Sequence, residues 1–410
     1  MTFGINSRSE QSRRTFLGRS AAIAGGWALH SMQTQNSLFG LGNAGADDRV
    51  LVVLQLSGGN DGLNTVVPYE DAEYRRARGR LALAAKDLHQ IGQARGLHPS
   101  LKGAAQLFKD HKLAIIEGCG YPNPNRSHFK SMDIWHAADP TGRDLRYGWL
   151  GRAMDLVSRE KTEPSLAINI SASSPVALNG VNYKPIAFKD PNAYRYTAAK
   201  DVTETFERMS GEDAADNPLL ARLRRTADDA VQTSREIRSK AMSYRPIARY
   251  PRSSLANSLR TVAGLIKGGL PTRVYYTYHG GFDTHANQAG RHVNLLNQLD
   301  GAIVAFQKDL EQQGLADRVV LMAFSEFGRR VRINGSGGTD HGVAGPMFVM
   351  GSRVKGGLHG EHPSLTDLNR GDLKHTTDFR SVYATLLDRW LTIDSKRVLG
   401  SDFQKLGFLA

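Results

Sequence analysis

The sequence predicts an α/β fold, a three-layer sandwich with a mostly parallel central sheet. Three observations carry this. Short runs of β-branched residues and leucine recur along the chain, and most are closed by glycine. Such runs suit strands buried on both faces. Longer segments with helical apolar spacing separate them, and strand–helix alternation builds parallel sheets. No low-complexity linker or internal repeat interrupts the pattern, so residues 47–410 are expected to form a single domain.

The first strand is Arg49–Leu56, closed by Ser57-Gly58-Gly59. Leu101–His111 reads as a helix, and Leu113–Glu117 as the second strand, ending in Gly118-Cys119-Gly120. Ser127–Ala138 is a second helix. Leu166–Phe188 looks like short strands with turns, a small β excursion. Residues 201–241 are charge-rich with helical spacing at Leu219, Leu220, Leu223, Ala230 and Ile237, which predicts a solvated helical insertion beside the sheet. Arg273–Tyr278 is the third strand, Arg291–Gly314 a long helix, Arg318–Phe324 the fourth strand and Pro346–Met350 the fifth. Thr376–Leu391 is the last helix.

The first 46 residues read differently. Ser12-Arg13-Arg14-Thr15-Phe16-Leu17 has the form of a twin-arginine export signal. An uncharged, moderately apolar run from Ala21 to Met32 follows, and Ala44-Gly45-Ala46 supplies small residues before a cut. That run contains glycines and His30 and is shorter than the roughly 20 residues a membrane span needs. The reading is a protein handed to the twin-arginine translocase and working folded, in the periplasm or outside the cell, with no transmembrane span in the mature part. Folded export is compatible with a metal or cofactor acquired beforehand.

Cys119 is the single cysteine, which excludes an intramolecular disulfide. The formal charge is +13, leaving about +10 on the mature part. That balance favours anionic partners: phosphate esters, sulfated glycans or an envelope polymer. The basic residues are scattered, with no long run and no aromatic–basic motif, which argues against nucleic acid.

In open α/β sheets, ligands bind beyond the carboxyl ends of the strands. Carboxylates and imidazoles recur at those ends. Asp61 follows the first strand; Asn125, Ser127 and His128 follow the second; Asp283 and His285 follow the third. Glu326, Arg329 and Arg330 follow the fourth, and Asp340 and His341 precede the fifth. Asp61, Asp283, His285, Asp340 and His341 are candidate ligands for a divalent metal, zinc first, manganese or calcium as alternatives. Ser127, opening a helix, is a candidate nucleophile or simply an N-cap. Arg329 and Arg330 offer a fork for a phosphate or sulfate, or an ion pair for Glu326. His375 and Asp378 stand before the last helix, where Asp378 serves equally well as its cap.

The motifs Ser57–Pro68, Arg126–Phe129, Gly281–His285, Ser325–Arg330, Gly338–Gly342 and Thr377–Arg380 together resemble the DUF1501 family, twin-arginine-exported proteins of unknown function. That family resembles in turn a distant branch of the alkaline phosphatase and sulfatase superfamily. The resemblance implies an alkaline phosphatase-like fold. It further implies metal ligands at Asp61, Asp283, His285, Asp340 and His341, and a nucleophile at Ser127. No cysteine sits in a sulfatase-type modification motif, which argues against a formylglycine sulfatase. The function expected first is a metal-dependent hydrolase of phosphate or sulfate esters. The alternative is a non-catalytic cell-envelope binding or assembly protein that retains the fold. A third reading is a structural partner using the 201–241 helices.

Overall fold

Strand β1 (Val50–Ser57) has water on neither face. Its side chains alternate, as a pleated strand requires. Val50, Val52, Leu54 and Leu56 enter one apolar core, and Leu51 and Val53 enter another. That division gives the protein its three layers. The computed structural model describes residues 48–158, 163–194 and 218–409, with the side chains of 218–230 excepted. The expected export signal and residues 201–217 of the expected insertion lie outside them.

The other strands are β2 (Val66–Val67), β3 (His89–Gly92), β4 (Arg95–Leu97), β5 (Leu113–Gly120), β6 (Ala167–Asn169), β7 (Ile186–Ala187) and β8 (Val274–Gly280). After them come β9 (Val319–Phe324), β10 (Gly345–Met350), β11 (Gly357–His359), β12 (Leu368–Asn369), β13 (Asp372–Leu373) and β14 (Thr377–Asp378). Nine strands form the central sheet, in the order β11-β5-β10-β9-β1-β8-β6-β7, with β14 beside β5. All neighbours are parallel except β10, which runs antiparallel to both β5 and β9. Strands β2–β4 form a small separate sheet, and β12–β13 a hairpin.

Helices cover both faces. The named ones are α1 (Ala72–Arg78), α2 (Lys102–Lys109), α3 (His128–Ala137), α4 (Trp149–Val157), α5 (Pro218–Ser243), α6 (Ser254–Lys267), α7 (Gln288–Gln312) and α8 (Phe379–Thr385). Helices α2, α6 and α7 send Leu107, Leu259 and Phe306 into the core that holds Val52. Helices α3, α4 and α8 send Trp135, Leu150 and Tyr383 into the core that holds Val53. None of the described helices is long and apolar enough to cross a membrane.

Three of the elements read from the sequence differ, and the first is the last expected helix, whose Thr377–Asp378 form strand β14. Leu166–Phe188 is not a separate excursion, because β6 pairs with β8 and carries the main sheet outward to β7. The charge-rich insertion yields α5, whose Ile237 is fully buried against the core, so this face of the helix is not solvated. Cys119 is buried and free, as its position at a strand end suggests.

Strands β1, β5, β8 and β9 all point the same way, so their carboxyl ends share one rim. The reversal of β10 brings the loop before it to that rim as well. Gly58 seals the approach: its φ is +116°, and a Cβ there would run into the backbone of Asp283.

Candidate metal centre

The segment after β8 alternates. Phe282 and Thr284 are buried, whereas Asp283 and His285 reach outward. A spacing of two places side chains on one face of an extended chain, so this Asp-x-His pair converges without a helix. His341 comes from the loop before β10, and its residue pairs with Arg329 in an isolated antiparallel bridge. His128 is the first residue of α3.

These four side chains meet. His285 Nε2 lies 3.0 Å from Asp283 Oδ1, and His341 Nε2 lies 3.2 Å from the same oxygen. His128 Nε2 lies 3.5 Å from Asp283 Oδ2. Among the described residues, His128, Asp283 and His341 form a group able to hold a metal ion, with donor atoms within 4.8 Å of one another. His285 joins them through Asp283 and His341. The Asp283 side chain is 48% exposed, so the group opens to solvent.

An outer layer fixes each ring. His128 Nδ1 stands 2.8 Å from Glu326 Oε1, His285 Nδ1 3.0 Å from Asp340 Oδ1, and His341 Nδ1 2.8 Å from the Arg126 carbonyl. Carboxylates and carbonyls only accept, so each Nδ1 is the donor. In a neutral ring the Nε2 is then a lone pair. Imidazoles held in this way by carboxylate or carbonyl partners are the usual setting of metal ligands. Glu326 is itself anchored, accepting from the Gly58 amide at 2.8 Å and the Ser325 hydroxyl at 3.1 Å.

The electrostatics agree. Burial pushes the Asp283 carboxyl up, but Arg329, His341 and His285 outweigh it and hold its pKa at about 2. The hydrogen bond that His128 donates to Glu326, opposed by burial, raises His128, so this ring gives up a proton when it ligates. Burial lowers His341 and favours its neutral form. Hydrogen bonds from Asn334 and His285 hold Asp340 below the usual carboxylate range.

The remaining sequence candidates fall elsewhere. Asp61 does not join the group. It is fully buried, with both oxygens taken by Arg78 at 2.6 and 2.7 Å and a further bond from Gln288. Asp340 acts through His285. Arg329 offers no open fork: its guanidinium is buried and donates to the carbonyls of Gly58, Gly59, Phe282 and Thr339 and to Asp283. It clamps three rim loops together, which is why a surface ion pair with Glu326 is not what forms. Arg330 turns away toward Asp372.

Ser127 occupies the N-cap position of α3, beside His128, exposed, and its hydroxyl makes no capping bond. Asn125 accepts from the Ser127 amide at 2.8 Å. Asp378 caps α8 by accepting from the Arg380 amide at 2.9 Å and pairs with the Arg380 side chain. His375 is half-buried over Gly120, and no hydrogen bond or ion pair among the described residues ties it to the group. His128 is the residue that sequence reasoning underweighted. The signal was its place one step inside a helix that begins at a strand-end rim.

The donor set suits a transition metal. Imidazole nitrogens and one carboxylate fit zinc or manganese, whereas calcium prefers six or more oxygens.

A family model described as "Protein of unknown function (DUF1501)" matches residues 85–405. Among curated proteins none matches. Several solved structures are similar. One is the lipoteichoic acid synthase LtaP from Listeria monocytogenes, at 7% identity over 74% of this chain and 65% of that one, TM-score 0.36. This chain thus spans under two thirds of that relative's length. Another is a protein in the alkaline phosphatase superfamily from Vibrio parahaemolyticus, at 9% identity over 87% and 67%, TM-score 0.35. A third is the C-terminal periplasmic domain of EcEptC from Escherichia coli in complex with Zn, at 10% identity over 88% and 83%, TM-score 0.34.

Proposed function

We propose, from the premise that this chain belongs to the DUF1501 family of proteins of unknown function, that it is an exported, metal-dependent hydrolase of phosphate or sulfate esters. One observation carries the reading: three imidazoles, each tied at Nδ1, turn their Nε2 atoms toward the Asp283 carboxylate. His128, His285, His341 and Asp283 would hold the ion, with zinc the best match to the donors. A divalent cation there supplies Lewis acidity toward an ester oxygen.

The chain's own groups supply the rest. Arg329 and Glu326 keep the rim loops and His128 in place. Ser127 stands at the amino end of α3, where amides and the helix dipole favour an anion. Its uncommitted hydroxyl makes it the candidate attacking group. The overall reaction consumes water and releases an alcohol and phosphate or sulfate. Export rests on the twin-arginine motif at Ser12–Leu17, and the anionic substrate on the positive balance of the chain.

A second reading has its own support. Asp61, expected as a metal ligand, and Arg329, expected at the phosphate or sulfate, are sealed into buried bonds, which would suit a protein that binds an anion through its metal without turning it over. Elemental mass spectrometry on protein from the periplasm, with an Asp283→Ala variant, tests metal dependence. Nitrophenyl phosphate and sulfate then test turnover. Zinc or manganese lost in the variant, together with hydrolysis, supports the hydrolase. Bound metal without hydrolysis of any ester favours the binding protein, and a wild type that stays metal-free after reconstitution overturns both.

A further inference from the structure

Beside the metal centre, one buried carboxylate has more cationic partners than it can neutralise. Asp372 opens β13 and its side chain has no exposed surface. It pairs with Arg126, and Arg330 Nε lies 3.6 Å from its Oδ1, beyond a hydrogen bond. That Oδ1 has no hydrogen-bond partner among the described residues. Arg370 sits two residues earlier, exposed at the tip of the β12–β13 hairpin. Its φ of 53° and the 84° of Gly371 are the left-handed pair of a two-residue hairpin turn. The Arg330 guanidinium lies against this turn, since a Cβ added to Gly371 would stand 3.8 Å from its Nη1.

Two guanidiniums on one carboxylate, with Arg370 on the same hairpin, leave a surplus of positive charge. The Arg126 and Arg330 side chains are each 37% exposed, so they have faces left for a ligand. Both are tied to the metal centre through their backbones. The Arg126 carbonyl accepts from His341 Nδ1 at 2.8 Å, and the Arg330 amide donates to the Asp340 carbonyl at 2.9 Å.

We propose that Arg126, Arg330 and Arg370 bind a second anionic group on the molecule whose first ester group reaches the metal centre. The substrate is then a molecule carrying two or more sulfate or phosphate groups. This rests on the hydrolase reading for the first group, but the arginine site itself does not need turnover. Planar guanidiniums bind such oxyanions in pairs of parallel bonds, and a surplus of charge selects for a second anion.

The test is calorimetric binding of four probes to the metal-loaded protein: a disulfated disaccharide, its monosulfated counterpart, and the bisphosphorylated and monophosphorylated equivalents. The doubly substituted probes should bind about tenfold tighter or more than the singly substituted ones, and the better pair identifies the group. Arg330→Gln combined with Arg370→Asn, the latter suited to positive φ, should abolish that advantage without changing zinc content. Lys189→Gln, which removes one charge from the exposed surface after β7, should leave it intact. Equal binding of single and double probes, survival of the advantage in the double variant, or its loss in the Lys189 control overturns the proposal. Bound metal without turnover, with the advantage intact, would sink the hydrolase reading alone.

Discussion

His285 and His341 face each other with their Nε2 atoms 2.9 Å apart. The Nδ1 hydrogens are engaged by Asp340 and by the Arg126 carbonyl. Two neutral rings held this way present lone pair to lone pair, which is repulsive unless a proton or a cation lies between them. A metal ion relieves the repulsion and satisfies Asp283 at once.

The same geometry ranks the residues. His285→Ala should lower zinc affinity by more than about 100-fold. Asp340→Ala, which removes only the partner of His285, should lower it by about 10–100-fold. Chelator competition measures both. Equal losses would restore Asp340 to the role of direct ligand that the sequence suggests.

Asp61 and Arg78 should matter for folding and not for metal. Breaking a buried pair leaves an unpaired charge, so Arg78→Met should cost about 3–5 kcal/mol of stability. Urea unfolding reads this, and zinc content should not change. Loss of zinc at unchanged stability would return Asp61 to the metal centre.

Stability should also depend on pH through buried histidines away from the centre. Burial, with His292 second, lowers His98 to about 4; burial lowers His292 to about 4 and His136 to about 3. Below pH 6.5 the unfolded chain takes up protons that the folded chain refuses. Stability therefore falls as pH drops from 6.5 toward 4, on the order of 1.4 kcal/mol per unit for each ring, and is flat in these groups above 6.5. Thermal melts of metal-free protein between pH 4 and 8 check this, and a flat profile would contradict it.

Gly58→Ala should both strain the turn and push on Asp283. The positive φ alone costs about 1–2 kcal/mol, and the collision with the Asp283 backbone should loosen zinc as well. Gly314→Ala also meets a positive φ, 71°, but has open space around it. It should cost stability only, and zinc titration of the two variants separates the effects.

Strands β1, β5, β8, β9 and β10 were legible because their apolar runs are largely buried on both faces, whereas the short β11 and β14 beside β5 were not. The runs at Arg49–Leu56 and Arg318–Phe324 match β1 and β9 within a residue or so. The rim loops were legible too, since polar residues cluster where parallel strands end. What could not be read was which way each side chain turns. Asp61 and Asp283 both follow a strand and a glycine-rich turn. Asp61 turns inward because Arg78, seventeen residues on, comes from α1 to meet it. Arg329 and Arg330 are neighbours, yet one is buried in carbonyls and the other reaches Asp372. Such choices are set by partners distant in sequence, which local periodicity does not encode.

The reversed strand β10 has a consequence for the order of assembly. Among the described strands it is the one that bridges β9 and β5. His128 follows β5, whereas Asp283 and His285 follow β8, on the other side of that bridge. A chain ending before Gly345 would contain all four donors and still lack the strand that brings them into register. The centre should therefore form late in folding, after long-range closure rather than local collapse, and metal should be captured only by a nearly finished sheet.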